Sequence, residues 1–372
     1  MVLPDVRYMR LALALAGRAH GQTRPNPMVG AVIVRGGRVV GAGYHRRAGA
    51  LHAEVVALRA AGRQARGATL YVTLEPCRHT GRTPPCVPAI LTSGIRRVVA
   101  AMEDPNPRMQ GRSLRELRAA GVQTRVGLLA AQARALNEIY LTWMTRHRPF
   151  VTVKVAHSLD GKIATRAGHS RWLSGPAARA WVHQLRAQVD AIAVGVRTVL
   201  ADDPRLTCRA ARPSHRLGAP IRPPLRVVVD SRLRTPLTAR VLRGRAPVLI
   251  ATTRRASMAR RRQLEALGAD VVMLPARGGR VDLRGLMDEL ARREVTHLLI
   301  EGGGELIASA LTARLVDRWI SIVAPTLVGG RAAPTALGGD GVAHLRHATP
   351  LDVTAWRRVG RDLVIEARVR RP

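Results

Sequence analysis

Short β-branched runs alternate with segments of helical period along all 372 residues, and this alternation restricts the architecture more than any other feature. Residues 29–34, 69–73 and 98–101 read as strands, and Gly36-Gly37 turns the first of them into Val39-Val40. Residues 54–61 place apolar side chains at helical spacing and stop at Gly62. Residues 87–92 form a short helix ending at Ser93-Gly94. Ser113, with Glu116 three positions on, has the pattern of a capping box that opens a helix through Ala120, closed by Gly121. Residues 130–146 read as one further helix. Alternation of this kind predicts an α/β layer around a largely parallel sheet. The pattern breaks at Arg146-His147-Arg148-Pro149 and then starts again. Strands are expected at 151–155, 191–194, 226–229, 248–251, 271–274 and 297–300, with helices at 177–187, 260–267, 283–293 and 305–311. The stretch 209–224, rich in Pro and Arg and without periodicity, reads as a mobile loop. No internal repeat links the halves, so two fused α/β domains are expected, at 1–147 and 148–372.

Charge narrows the partners. Lys and Arg total 61 against 25 Asp and Glu, a formal net charge of +36, and all but Lys154 and Lys162 are arginine. So basic a chain invites a nucleic-acid reading. Yet the arginines are spread over the whole length, and aromatic residues are only 3%, which leaves few platforms for stacking bases. A bias toward arginine accounts for an even spread, and phosphorylated small molecules are the expected anionic partners, with no nucleic acid. No apolar run approaches the roughly 20 residues of a membrane span. Residues 11–16 are apolar but too short for a secretory leader. A cytoplasmic protein with no membrane partner is expected. Three cysteines cannot build a disulfide scaffold, and a close pair beside a histidine points to metal.

That pair is Cys77 and Cys86. His52-Ala53-Glu54 opens a helix, and Cys77 follows Glu54 after 23 positions, behind Pro76 and a strand. One imidazole and two thiolates suit Zn²⁺ and leave a fourth tetrahedral position for water, whose pKa the metal lowers. Glu54, two residues past the histidine, stands where a proton shuttle is needed. Zinc nucleobase deaminases share the order His-x-Glu followed by Pro-Cys. They separate the two cysteines by two residues, however, whereas eight intervene here and make a loop over the metal. A structural zinc or a pair of core thiols is the plainer alternative, and it leaves Glu54 without a use.

Residues 24–34 (Arg-Pro-Asn-Pro-Met-Val-Gly-Ala-Val-Ile-Val), His52-Ala53-Glu54 and the segment 75–86 (Glu-Pro-Cys-Arg-His-Thr-Gly-Arg-Thr-Pro-Pro-Cys) closely resemble the RibD family, the bifunctional deaminase/reductases of bacterial riboflavin biosynthesis. Residues 151–164, Trp172, 195–207 and Glu301-Gly302-Gly303-Gly304 continue the match over nearly the whole chain. The resemblance implies a cytidine-deaminase-like first domain that hydrolyses the amino group of 2,5-diamino-6-ribosylamino-4(3H)-pyrimidinone 5′-phosphate. His52, Cys77 and Cys86 carry over as zinc ligands and Glu54 as proton donor. Asn26, His45, Arg82, Asp104 and Asn106 carry over to the pyrimidine and phosphate pocket. Amides and carboxylates suit pyrimidine edges and Arg82 suits a phosphate, although Asp104 and Asn106 in Asp-Pro-Asn-Pro also read as turn residues.

The second half has no G-x-G-x-x-G and no Walker A sequence. Glu301-Gly302-Gly303-Gly304 instead joins a strand to a helix, where glycines let backbone N–H groups approach a phosphate, although Gly triplets also make plain turns. By resemblance this domain is dihydrofolate-reductase-like and uses NADPH to reduce the ribosyl group to ribityl. Ala156, Trp172, Thr198, Asp202, Ser231, Gly303, Gly304, Glu305, Leu306, Ile307, Ala308 and Ser309 would lie along the cofactor. Lys154, Ser170, Arg186, Leu206, Arg209 and Glu301 would face the substrate. Lys154, Asp202 and Glu301 are the candidates for moving the proton that ring opening requires, with Lys154 and Asp202 placed as catalytic, and Arg186 and Arg209 suit the 5′-phosphate. A homo-oligomer is implied as well. Two positions depart from the family pattern: His157 stands where a small residue is common, and Ser113 where a second glycine is frequent.

Overall fold

The computed structural model describes residues 3–81, 83–209 and 223–370, and the chain divides into two compact units, Met1–His147 and Arg148–Pro372. In the first unit the order is α1 (Leu3–Gly17), β1 (Gly30–Arg35), β2 (Arg38–Tyr44), α2 (Ala53–Ala61), β3 (Thr69–Val72), α3 (Cys86–Thr92), β4 (Arg97–Ala100), α4 (Arg112–Ala119), β5 (Gln123–Val126), α5 (Ala130–Leu136) and α6 (Glu138–Arg146). The sheet runs β2-β1-β3-β4-β5. It is mixed rather than largely parallel: β1 is antiparallel to both β2 and β3, because a hairpin at Gly36-Gly37 feeds the sheet, and only β3, β4 and β5 are parallel. Val32, Ile33, Leu70, Val72, Val98 and Val99 are fully buried, each contributing about 1.5–3 kcal/mol of apolar burial at most. Helix α2 lies tightly on β2. A Cβ on Gly41 would come within 2.3 Å of the Ala57 carbonyl oxygen and one on Gly43 within 2.9 Å of the Ala53 carbonyl oxygen, so glycines there set how closely α2, with His52 and Glu54 at its start, approaches the sheet.

Two local readings are corrected. Ser113 does not cap a helix: Gly111, at φ 76°, is the N-cap of α4, and Ser113 is its buried second residue, bonded to Glu75. The segment 130–146 is two helices, α5 and α6, parted at Asn137. The Asn137 side chain serves the backbone of Met28 instead, accepting its N–H at 2.8 Å and donating to its carbonyl at 2.9 Å.

The second unit contains β6 (Phe150–Ser158), α7 (Pro176–Arg186), β7 (Ala191–Gly195), α8 (Val196–Asp202), β8 (Leu225–Val229), β9 (Val248–Thr252), α9 (Met258–Ala266), β10 (Asp270–Met273), the small hairpin β11 (Ala276–Arg277) and β12 (Arg280–Val281), α10 (Leu283–Arg292), β13 (His297–Gly302), α11 (Gly304–Thr312), β14 (Arg318–Ala324), β15 (Leu351–Val359) and β16 (Asp362–Val369). Nine strands form one sheet in the order β10-β9-β8-β7-β13-β6-β14-β16-β15, parallel except where β16 pairs with β14 and β15. Successive strand residues face opposite sides. Leu298 and Ile300 join the core under α10 and α11, with Leu290 and Ile307. Leu299 joins the other core, with Val182 and Leu185 of α7 and Leu264 of α9. Of the expected mobile loop at 209–224, positions 210–222 lie outside the described residues.

Candidate active sites

In the first unit the ends of three elements meet. His52 is the N-cap residue of α2, Cys86 opens α3, and Cys77 lies in the loop after β3. The His52 Nδ1 is 3.2 Å from Cys86 Sγ and 3.3 Å from Cys77 Sγ, and the three donor atoms lie within 4.8 Å of one another. Thr83 Oγ1, 2.9 Å from His52 Nε2, fixes the far side of the ring, and the Cys86 N–H donates to Cys77 Sγ at 3.3 Å. The Cys86 thiol, together with His52, pulls Cys77 down to about 4, and the same pairing pushes Cys86 up. A nitrogen and two sulfurs so placed fit Zn²⁺. Glu54 sits on the first turn of α2, only 3% exposed, with Oε2 buried and without a hydrogen-bond partner. Burial, then the charge of Cys77, pushes its carboxyl up to about 7. A carboxyl so poised takes and returns a proton at neutral pH.

His45 and Asn26 stand beside this group. The His45 Nδ1–H donates to the Leu51 carbonyl at 3.1 Å, which leaves Nε2 to accept from Asn26 Nδ2 at 3.1 Å. Its ring meets that of His52 edge-on at 5.2 Å, and burial lowers its pKa, favouring the neutral form. Asp104 and Asn106 behave as turn residues in their local bonds. Asp104 Oδ1 accepts the Asn106 N–H and Asn106 Oδ1 accepts the Arg108 N–H, while Tyr140 donates to Asp104 at 2.8 Å. Their side chains bond within their own loop and to Tyr140, and the Asp104 N–H donates to Glu75. Arg82 lies outside the described residues. Sequence reasoning passed over Glu75. Its buried carboxylate accepts from Asp104 N, Gly111 N, Ser113 N and Ser113 Oγ, and an acid closing an apolar strand just before Pro-Cys was the available signal.

In the second unit one cavity of about 1250 Å³ gathers residues from across 154–338. Lys154, Ala156, Ser170, Trp172, Arg186, Thr198, Asp202, Leu206, Arg209, Ser231, Glu301, Gly303, Gly304, Glu305, Leu306, Ile307 and Ser309 all line it. Ala308 does not, because it turns instead toward Gly339. Gly303, at φ 91°, ends β13 and caps α11, a backbone conformation that suits glycine. Trp172 is 67% exposed, with the Arg179 guanidinium 4.5 Å from its ring centre, so it is a wall and not core. Ser231 Oγ accepts the Val281 N–H at 3.0 Å, and Ser170 Oγ donates to Asp202 Oδ1 at 3.2 Å.

Glu301 is the electrostatic centre. Arg186 grips it with Nε and Nη2, both at 2.7 Å, and the Lys154 Nζ stands 3.6 Å away. Burial pushes this carboxyl up, but Arg186 and Lys154 outweigh it and hold it at about 2. Arg186 also gives Nη1 to the Thr207 carbonyl at 3.0 Å. Its three donor nitrogens therefore all have partners within the protein, which weakens its case as a phosphate ligand relative to Arg209. His157 is tied by Nδ1 to the Ser158 carbonyl and by Nε2 to Ser321 Oγ, and it does not line the cavity.

Residues 4–102 match the cytidine and deoxycytidylate deaminase zinc-binding region, and residues 149–365 match the RibD C-terminal domain. The riboflavin biosynthesis protein RibD of Aquifex aeolicus is 42% identical over 362 residues, 97% of each chain. That of Escherichia coli is 40% identical over 368 residues, 98% of this chain and 99% of the other. Among solved structures, Acinetobacter baumannii RibD aligns with a TM-score of 0.86 at 36% identity over 99% of each chain. A diaminohydroxyphosphoribosylaminopyrimidine deaminase/5-amino-6-(5-phosphoribosylamino)uracil reductase of Thermotoga maritima aligns at 0.82 and 30%, again over 99% of each. With a cytidine-deaminase-like zinc-binding region in front and a dihydrofolate-reductase-like domain behind, the chain belongs to the RibD family of bifunctional deaminase/reductases of riboflavin biosynthesis.

Proposed function

We propose that the first unit deaminates 2,5-diamino-6-ribosylamino-4(3H)-pyrimidinone 5′-phosphate and that the second, using NADPH, reduces the product to 5-amino-6-(5-phospho-D-ribitylamino)uracil. The observation that carries the reading is the buried, unpartnered Oε2 of Glu54 next to the His52, Cys77 and Cys86 donors. Those three residues would hold a zinc ion, which would supply Lewis-acid activation of water. Glu54 takes a proton from the attacking water and delivers it to the departing ammonia, and a carboxyl near 7 serves both transfers. His45, neutral and held by Leu51, orients Asn26 toward the pyrimidine. Asp104 and Asn106, with Arg82, complete the pyrimidine and phosphate pocket.

In the second unit Ala156, Trp172, Thr198, Asp202, Ser231 and the Gly303–Gly304 turn would hold NADPH, which would supply the hydride needed at C1′. The ribose ring oxygen must gain a proton as the C1′–O bond breaks. Glu301, held at about 2, has none to give at neutral pH. Lys154 is its neighbour and the donor in this reading, with Glu301 keeping the ammonium in place and Asp202 aligning Ser170 for the substrate. Arg209 offers a guanidinium to the 5′-phosphate. No helix among the described residues is long and apolar enough to cross a membrane. A cytoplasmic homo-oligomer acting on a small molecule, with no nucleic-acid partner, completes the reading, and light scattering checks the assembly.

The test is a paired assay on the zinc-loaded chain. Ammonia release without NADPH, followed by NADPH oxidation once it is added, is the expected result. Ammonia with no later NADPH oxidation sinks the reductase half, and no ammonia at all sinks the deaminase half.

A further inference from the structure

The loop after Glu75 carries Cys77 and leads to Cys86 at the start of α3, and the loop 104–113 carries two residues assigned to the substrate. Their common fastening is the Glu75 carboxylate. Glu75 is 3% exposed and lies three residues past β3 and two before Cys77, and its own N–H donates to the Met102 carbonyl at 3.0 Å. Oε2 accepts the Asp104 N–H at 3.1 Å and the Gly111 N–H at 2.8 Å. Oε1 accepts the Ser113 N–H at 3.1 Å and the Ser113 hydroxyl at 2.8 Å. Four donors on one buried carboxylate is the full complement of its lone pairs, and hydrogen bonds to an ionised acceptor are about twice as strong as neutral ones. A second, exposed tie runs in parallel, from Arg78 Nε to Glu116 Oε2 at 3.0 Å. Ser113 is fully buried, and its hydroxyl supplies the fourth of the bonds to Glu75.

We propose that Glu75 and Ser113 are positioning residues for the deamination: they lock the loop that presents Asp104 and Asn106 to the pyrimidine onto the segment after β3 that presents Cys77. The reading rests on the assignment of Asp104 and Asn106 to the substrate pocket. A loop held by four bonds meets the substrate already ordered, so loosening it costs binding before it costs chemistry. The Glu75→Gln change turns one acceptor oxygen into an N–H donor, set against the N–H groups of either Asp104 and Gly111 or Ser113. Ser113→Ala removes a single bond and leaves the charge intact.

The experiment measures deaminase kcat and KM, bound zinc and reductase kinetics for Glu75→Gln, Ser113→Ala and Asp104→Ala in the full chain. Expected is a KM raised about tenfold by Glu75→Gln and a few-fold by Ser113→Ala, with kcat, zinc content and the reductase step near wild type. Bound zinc and an unchanged kcat report that the first unit is folded, and the reductase step reports the second. A fall in kcat at unchanged KM, loss of zinc, or no effect from either variant overturns the proposal. An Asp104→Ala variant with unchanged KM overturns the substrate assignment beneath it.

Discussion

Removing the charge of Glu301 isolates the electrostatic core of the reductase unit. Glu301→Gln keeps the shape but leaves Arg186 and Lys154, with side chains 15% and 12% exposed, facing a neutral amide. Two estimates of the cost agree. A carboxyl held at about 2 rather than its ordinary 4.5 corresponds to about 3 kcal/mol by linkage. Breaking one side of a buried ion pair costs about 3–5 kcal/mol. The chain has 5 tryptophans, of which only Trp143 lies outside the second unit, so tryptophan fluorescence in urea follows chiefly that unit. With a slope of about 2–3 kcal/mol per molar urea, the midpoint should fall by about 1–2 M. The pH dependence has a definite sign. A depressed carboxyl stabilises the fold fully above 4.5, and wild type should lose that contribution as pH falls from about 4.5 to about 2, so the stability gap between wild type and Glu301→Gln should close across the window. Arg186→Met combined with Glu301→Gln should cost less than the sum of the two single changes. Equal midpoints for wild type and Glu301→Gln, or parallel acid profiles, would refute the reasoning.

Chelating zinc from the intact chain should abolish ammonia release yet leave reduction of the already deaminated substrate unchanged, measured as NADPH oxidation. Gly303→Ala forces a side chain onto a φ of 91°, at about 1–3 kcal/mol. NADPH KM should rise about tenfold with ammonia release intact. Asn137→Ala strands both backbone groups of Met28 in a buried site, about 1–3 kcal/mol for each unsatisfied group. Heating should then inactivate the deaminase step at a lower temperature than in wild type, leaving the reductase step where it was.

Most strands were legible because their apolar runs are buried on both faces, as Ile192 and Val194 lie in one core and Ala191 and Ala193 in the other. Strands β15 and β16 were not, since β15 is largely exposed and its sequence mixes arginines with apolar residues. The break at Asn137 has no local signal: no glycine or proline marks it, and the cause is a backbone 109 positions away. Ser113 with Glu116 satisfies the capping-box pattern, but a left-handed Gly111 takes the cap and Glu75 takes the serine. The His52, Cys77, Cys86 and Glu54 group was readable because metal chemistry restricts residue type, and His-x-Glu followed by Pro-Cys keeps its order even though eight residues part the cysteines. The reductase cavity was not readable from spacing, because residues as far apart as Lys154 and Ser309 meet only through sheet order, and family resemblance supplied them. The local bonds of Asp104 and Asn106 match their turn pattern, which leaves any substrate role to be decided by kinetics.

The account stands on two separate chemistries in a fixed order, and the Glu54→Gln variant tests this directly. Zinc-loaded Glu54→Gln would be given NADPH with either the diaminopyrimidinone ribosyl phosphate or its deaminated product. NADPH oxidation should be absent with the first and match wild type with the second. Equal oxidation of both would contradict the order, and oxidation of neither would contradict the independence of the two sites.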